Sequence, residues 1–293
     1  MNKKDYFEIK VGGGKVSTVL IGTKHKLAFI GGPCAIENES HTLFMAENLN
    51  NICTQIEIPF IFKSCYDKDC RSSPDSFLGI GIDSGLKILE KVRLEIGIPV
   101  TSDVSNVQWV KDTADVVDLI QIPAYLCRQT HLLSACGRTG KPINIKKGQF
   151  IDPKNMRNSL AKIFRTNNKK VILTERGTFF GYNMLVNDFR GLKIMNEFGV
   201  PVCYDATHSI QRPTGSGSIS QGQREFIPGL VRAAVAMGIN ALFMEVHDNP
   251  DRALSDPATQ LNIKYLKKIL LQAMKIHELR NALVREFGED NIV

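Results

Sequence analysis

Cys34, Lys63, Asp103, Gln121, Lys146, Arg176, His208 and Glu245 each close a short apolar run that reads as a β-strand, and each leads into a loop or a helix-period stretch. Cys34, His208 and Glu245 offer a thiol, an imidazole and a carboxylate, and Asp256, beyond the last run, could add a fourth donor for a divalent ion. Such mixed donors suit Zn, Fe(II), Mn or Co alike, so the identity of the ion stays open. Lys63, Lys68, Arg71, Lys146 and Arg176 form a different set. Gathering cations is costly unless anions arrive, so their convergence implies a polyanionic ligand such as a phosphate ester that also carries a carboxylate. Asp103 could orient a substrate hydroxyl or handle a proton. Gln121 could offer a neutral hydrogen bond, and Arg128 adds a cation nearby.

These side chains converge only if the strands that carry them are parallel and adjacent. The apolar runs lie at 26–32, 59–64, 99–104, 117–124, 142–147, 169–177, 201–208 and 241–247, and the helix-period stretches at 40–56, 84–97, 106–114, 130–139, 153–166, 188–198, 226–237 and 262–286. An eightfold strand-helix alternation predicts a closed (β/α)8 TIM barrel, in which the chemistry gathers at the C-terminal ends of the strands. Closure sets strand 8 beside strand 1 and makes the ends bearing His208, Glu245 and Cys34 neighbours. A doubly wound open sheet is the rival architecture; the absence of GxGxxG after the first run weakens it as a dinucleotide fold. Upstream, residues 6–22 alternate around a Gly-Gly-Gly-Lys turn and predict a β-hairpin that plugs the N-terminal end of the barrel. The whole chain, 1–293, reads as one domain, with the barrel over 26–286. The Gly- and Ser-rich connection 209–225 is a lid candidate.

Composition narrows the function classes. Apolar content of 43% with 23% charged residues describes a globular chain with a large core. The net charge of +7 is scattered, with its densest group on the last helix, which argues against nucleic acid and leaves acidic small molecules as the use for the charge. The 7 cysteines include no CxxC pair, and neither a leader nor an 18-residue apolar run is visible, so a reduced, cytoplasmic chain away from membranes is expected.

The stretches GGPCAIE (31–37), FKSCYDKDCRSS (62–73), IQIPAYLCRQT (120–130), INIKKGQF (143–150), TERGTFFGY (174–182), DATHSIQ (205–211), FMEVH and ALSDPATQL (253–261) together resemble the 3-deoxy-D-manno-octulosonate 8-phosphate synthases of the metal-dependent class. The resemblance implies condensation of phosphoenolpyruvate with D-arabinose 5-phosphate and water, giving the eight-carbon keto-sugar phosphate, a lipopolysaccharide precursor, and inorganic phosphate. By the same carry-over Lys63, Lys68, Gln121, Lys146 and Arg176 would hold phosphoenolpyruvate, while Asp103 and Gln211 would contact the sugar. Arg71 and Ser72 would bind the sugar phosphate across a subunit boundary of a homotetramer, and Cys34, His208, Glu245 and Asp256 would be the metal ligands. Lys63, Lys68, Asp103, Lys146 and His208 would take the catalytic roles. The chain departs from the family at Asp69 and Cys70, where Ala and Asn are usual.

The nearest alternative is 3-deoxy-D-arabino-heptulosonate 7-phosphate synthase, which uses erythrose 4-phosphate. It shares the metal cysteine and the phosphoenolpyruvate cations, but its strand 2 loop reads KPRTS or similar, whereas here Lys68 stands between Lys63 and Arg71 in a longer segment. A non-catalytic barrel that binds sugar phosphates and a Schiff-base aldolase using Lys63 or Lys146 are further readings; for the latter, the surrounding cations fit anion binding better.

Overall fold

The computed structural model describes residues 7–69, 76–216 and 219–288. Barrel strands 1 to 8 are Ala28–Gly32, Phe60–Lys63, Val100–Asp103, Leu119–Ile122, Ile143–Lys146, Val171–Glu175, Val202–Asp205 and Ala241–His247. Each pairs in parallel with the next, and strand 8 pairs with strand 1 through Ala241 opposite Ala28 and Glu245 opposite Gly32, closing the barrel. The expected (β/α)8 architecture is present. Most strand residues are buried on both faces, as a sheet wrapped in helices requires.

The helices form where the apolar spacing switches to the helical period. In α1 (Glu39–Gln55) the buried positions Thr42, Met45, Ala46, Leu49 and Cys53 fall on one stripe. Its start is fixed by Asn38, whose side chain accepts from the His41 N–H, with Glu39 in the first turn complementing the helix dipole. The stretch from Ile82 to Ile96 ends at Gly97, whose φ of 74° reverses the chain into Ile98-Pro99 and strand 3.

Residues Ile9–Gly13 and Val16–Ile21 pair antiparallel as the expected hairpin. Its Ile9, Val11, Val19 and Ile21 cluster with Ala28, Ile30, Ile61, Leu119, Ile172, Cys203, Ala241 and Phe243, the inward residues of the lower barrel. Burying each Ile or Val contributes roughly 1.5–3 kcal/mol, so the plug is held mainly by apolar contact. Backbone hydrogen bonds from Ser17 N–H to the Gly97 carbonyl, 2.8 Å, and from Phe7 N–H to the Gly199 carbonyl, 2.9 Å, tie its rim to the turns below strands 3 and 7. Above this dry layer the strand ends turn polar: Lys63, Gln121, Asp205 and Glu245 stand two residues beyond Ile61, Leu119, Cys203 and Phe243, and Asp103 and Lys146 end strands 3 and 5. No helix of the described residues is long and apolar enough to cross a membrane.

The segment read as a lid candidate carries strand pairing. Gln211–Ser216 and Ile219–Gly222 pair antiparallel as a second hairpin over the mouth. Arg224, just beyond it, bonds the Ala258 carbonyl at 3.1 Å and Asp251 Oδ1 at 3.0 Å, joining this hairpin to the loop that follows strand 8.

Candidate active site

Glu245 sits at the centre of the mouth, fully buried. Its Oε1 accepts from Lys63 Nζ at 2.6 Å and lies 3.7 Å from both Lys68 Nζ and His208 Nε2. Burial alone would raise this carboxyl, but Lys63, His208 and Lys68 outweigh it and hold it well below the usual carboxylate range. Lys63 is buried as well and makes a second bond, 2.9 Å to the Cys34 carbonyl. Desolvation pulls its ammonium down, yet Cys65 and Glu245 more than offset that and raise it, so the cation is retained.

The ligand candidates are brought together unequally. Cys34, Glu245 and Asp256 present donor atoms within 4.8 Å of one another, as the sequence predicts. Cys34 Sγ lies 2.9 Å from Ser255 Oγ and 3.3 Å from Asp256 Oδ2, and Gln260 Oε1 accepts its backbone N–H. Burial, then the Glu245 charge, push the thiol well up, so the proton it offers Asp256 stays on sulfur until something more positive displaces it. Asp256 takes a left-handed φ of 49°, a conformation Asp tolerates better than most residues, to turn its carboxylate to the mouth. His208 is not among these three: it lies beyond strand 7 in the His208–Ile210 turn, with Nε2 3.7 Å from Glu245 Oε1. Glu245 Oε2 is buried with no hydrogen-bond partner among the described residues. An orphaned carboxylate oxygen beside a thiol and a second carboxylate is a donor set that a borderline divalent ion satisfies.

Asp205, which sequence reasoning passed over, links the two halves of the site. Its Oδ2 accepts from Lys146 Nζ at 2.6 Å and lies 2.7 Å from His208 Nδ1, while Oδ1 takes the backbone N–H groups of Thr207 and His208. Burial opposes ionisation here too, but His208 and Lys146 keep the carboxyl far below its ordinary value. By fixing Nδ1, Asp205 leaves His208 Nε2 facing Glu245. The Lys146 ammonium also lies 3.5 Å from the centroid of the Phe243 ring, a cation–π contact on the floor of the site.

Arg176 lies just past strand 6 with 5% exposure. Its Nη2 donates to Gln211 Oε1 at 2.7 Å, whereas Nη1 is buried without a partner among the described residues. Burial drives the guanidinium down from its usual value, although Asp205 resists. On the opposite wall Asp103 accepts from Gln121 Nε2 at 2.5 Å and from the Cys65 thiol at 3.0 Å. Gln121 accepts from Asn144, which accepts from Thr174, so a relay of neutral dipoles fixes this wall. Burial raises Asp103, and Lys63 and Lys68 reverse that. Cys65 was likewise not singled out in the sequence; it follows the end of strand 2, and the bend there sets it beside Asp103. Arg71 and Ser72 lie outside the described residues.

A closed α/β barrel with buried cations, a guanidinium donor unpartnered among the described residues and a candidate sulfur-oxygen ligand set at its C-terminal mouth has the architecture of an enzyme for small anionic substrates. Residues 7–282 match the model of the DAHP synthetase I family, and the chain belongs to that family. It is 50% identical over 262 residues, 89% of this chain and 95% of the other, to the 2-dehydro-3-deoxyphosphooctonate aldolase of Syntrophotalea carbinolica. The enzyme of the same name from Geotalea uraniireducens is 51% identical over 255 residues, 87% of this chain and 94% of its own. That from Acidithiobacillus ferrooxidans is 54% identical over 235 residues, 80% of this chain and 84% of its own.

Proposed function

We propose that this chain is a 2-dehydro-3-deoxyphosphooctonate aldolase working in the synthetic direction, joining phosphoenolpyruvate, D-arabinose 5-phosphate and water into 3-deoxy-D-manno-octulosonate 8-phosphate and phosphate. The observation that carries the reading is the orphaned Nη1 of Arg176 among buried cations. The carboxylates Glu245 and Asp205 already serve Lys63 and Lys146, and Nη1 lacks, among the described residues, an acceptor that the phosphate or carboxylate of phosphoenolpyruvate would supply.

Lys63, Lys68, Gln121, Lys146 and Arg176 are assigned to phosphoenolpyruvate, and Asp103 and Gln211 to the sugar. In the reaction C3 of phosphoenolpyruvate bonds to the aldehyde carbon of the sugar, whose oxygen takes a proton and becomes a hydroxyl. Positive charge develops at C2, water adds there and loses a proton, and the C2–O bond to phosphate then breaks. Fixing the anion on preorganised cations orients C3 toward the aldehyde, and such positioning can lower the barrier by several kcal/mol. Cys34, Glu245 and Asp256, with His208, would hold the divalent ion, which supplies a local positive charge able to orient or polarise the sugar's oxygens. With Nδ1 held by Asp205, His208 would offer Nε2 to that ion beside Glu245.

The described hairpin and barrel support one domain spanning 1–293. The resemblance further implies a cytoplasmic homotetramer in which Arg71 and Ser72 reach a neighbouring subunit's sugar phosphate, and a product that feeds lipopolysaccharide synthesis. The deciding experiment measures phosphate release from phosphoenolpyruvate by metal-loaded protein with arabinose 5-phosphate and with erythrose 4-phosphate, before and after chelation. Turnover with the five-carbon sugar alone, lost on chelation, is expected. Turnover with the four-carbon sugar would transfer the assignment to heptulosonate synthesis, and silence with both would leave a sugar-phosphate-binding barrel.

A further inference from the structure

A second cluster of ligand-type side chains lies where the first turn of α1 meets the end of strand 8. Glu37 comes from the loop after strand 1, His41 from α1 and His247 from the last position of strand 8, and their ligand atoms lie within 4.8 Å of one another. Asp248 Oδ1 is 2.9 Å from His41 Nε2 and 3.0 Å from His247 Nδ1. One carboxylate oxygen thus addresses the outer nitrogen of both rings, the arrangement that commonly orients metal-binding imidazoles. With its Nε2 proton given to Asp248, His41 turns a lone pair at Nδ1 inward, and that atom is buried with no partner among the described residues. His247 Nε2 is 3.3 Å from Glu37 Oε1, which also accepts the Leu254 N–H at 2.9 Å.

We infer that Glu37, His41 and His247, oriented by Asp248, form a second site for a borderline divalent cation of the Zn2+ type, separate from the Cys34 cluster. Two imidazole nitrogens and one carboxylate oxygen match that class of ion, and Glu37 and His41 are only partly buried. The Asn249 N–H donates to His247 Nδ1 at 2.9 Å, so the ring proton of the metal-free chain faces Glu37 from Nε2. Ligation moves that proton to Nδ1, where Asp248 Oδ1 accepts it in place of the Asn249 contact. The rings, now 4.6 Å apart at 35°, must open slightly, because their lone pairs lie in the ring planes. Through Glu37 and Leu254 the bound ion would brace the loop that carries Asp256.

The test is a count of bound Zn2+ by equilibrium dialysis for the wild-type chain, Cys34→Ala and His41→Ala, followed by Co2+ absorption spectra. About two equivalents are expected for the wild type and about one for each variant. Cobalt in Cys34→Ala should show ligand-field bands without the thiolate charge-transfer band, while His41→Ala should keep that band. Asp248→Asn should retain the second equivalent about 10- to 100-fold more weakly. A wild type whose only ion disappears with Cys34, or a second equivalent that survives His41→Ala with unchanged affinity, overturns the inference. None of these counts depends on turnover, so they stand or fall apart from the assigned reaction.

Discussion

Replacing Arg176 by Met separates a group kept for a ligand from one kept for the fold. In the free protein the guanidinium makes one charged hydrogen bond, to Gln211, and holds Nη1 unsatisfied in a site that is 5% exposed. Losing a hydrogen bond to a charged group costs about 1.5–3 kcal/mol, and removing an orphaned buried donor returns about 1–3 kcal/mol. The two nearly cancel, so the unfolding free energy of Arg176→Met should lie within about 2 kcal/mol of wild type, a shift of a few degrees at most in a chain of this size. Binding behaves differently, because truncating a buried charged partner of an anion costs about 2–5 kcal/mol. That is a weakening of about 30-fold to several thousand-fold in phosphoenolpyruvate affinity. Calorimetric titration with phosphoenolpyruvate, paired with thermal unfolding, reads both quantities on one sample. A variant destabilised by more than about 3 kcal/mol that still binds phosphoenolpyruvate normally would refute the reasoning and make Arg176 a structural residue.

Asp205→Asn keeps the shape but removes the counter-ion of Lys146 and sets an amide against Lys146 or His208. Breaking one side of a buried pair predicts a loss of about 3 kcal/mol or more in thermal or denaturant unfolding, together with a fall in kcat, and wild-type stability would remove Asp205 from its bridging role. Gly32→Ala would place a Cβ 2.1 Å from the Lys63 carbonyl oxygen, so the ends of strands 1 and 2 must part. Overpacking of this kind costs about 1–3 kcal/mol, and because Cys34 follows Gly32 the metal stoichiometry should fall with it; unaltered metal content would show that the strand end is more compliant than its packing implies.

Much of this was legible in the chain. Apolar runs broken by helix-period stretches located the strands within a few residues, and closure then predicted that Cys34 and Glu245 meet although they stand far apart in sequence, on the first and last barrel strands. The less legible features turn on register and side-chain direction. Asp205 stands two residues after the inward Cys203, the same step that carries Phe243 to Glu245, so the period of two could have revealed it. His208 drew attention as the more reactive type, yet it leaves the strand and depends on Asp205 for its orientation. Cys65 meets Asp103 only through the bend that follows strand 2, where the chain no longer keeps strand periodicity. The pairing within 211–222 was hidden by Gly and Ser content that reads as loop, because what holds it is a ladder of backbone bonds that composition does not encode.

The apolar hairpin that seals the lower barrel also shapes the electric field above it. Ile61 and the Phe243 ring of that apolar layer lie beneath Lys63 and Lys146, so the field of these cations is screened less from below than from the mouth. It is directed outward through the mouth, which makes the barrel an electrostatic funnel for anions approaching from solution. Seen this way, a segment remote from every reacting atom bears on how fast a charged substrate arrives, and the on-rate should fall with rising ionic strength more steeply than the chemical step does.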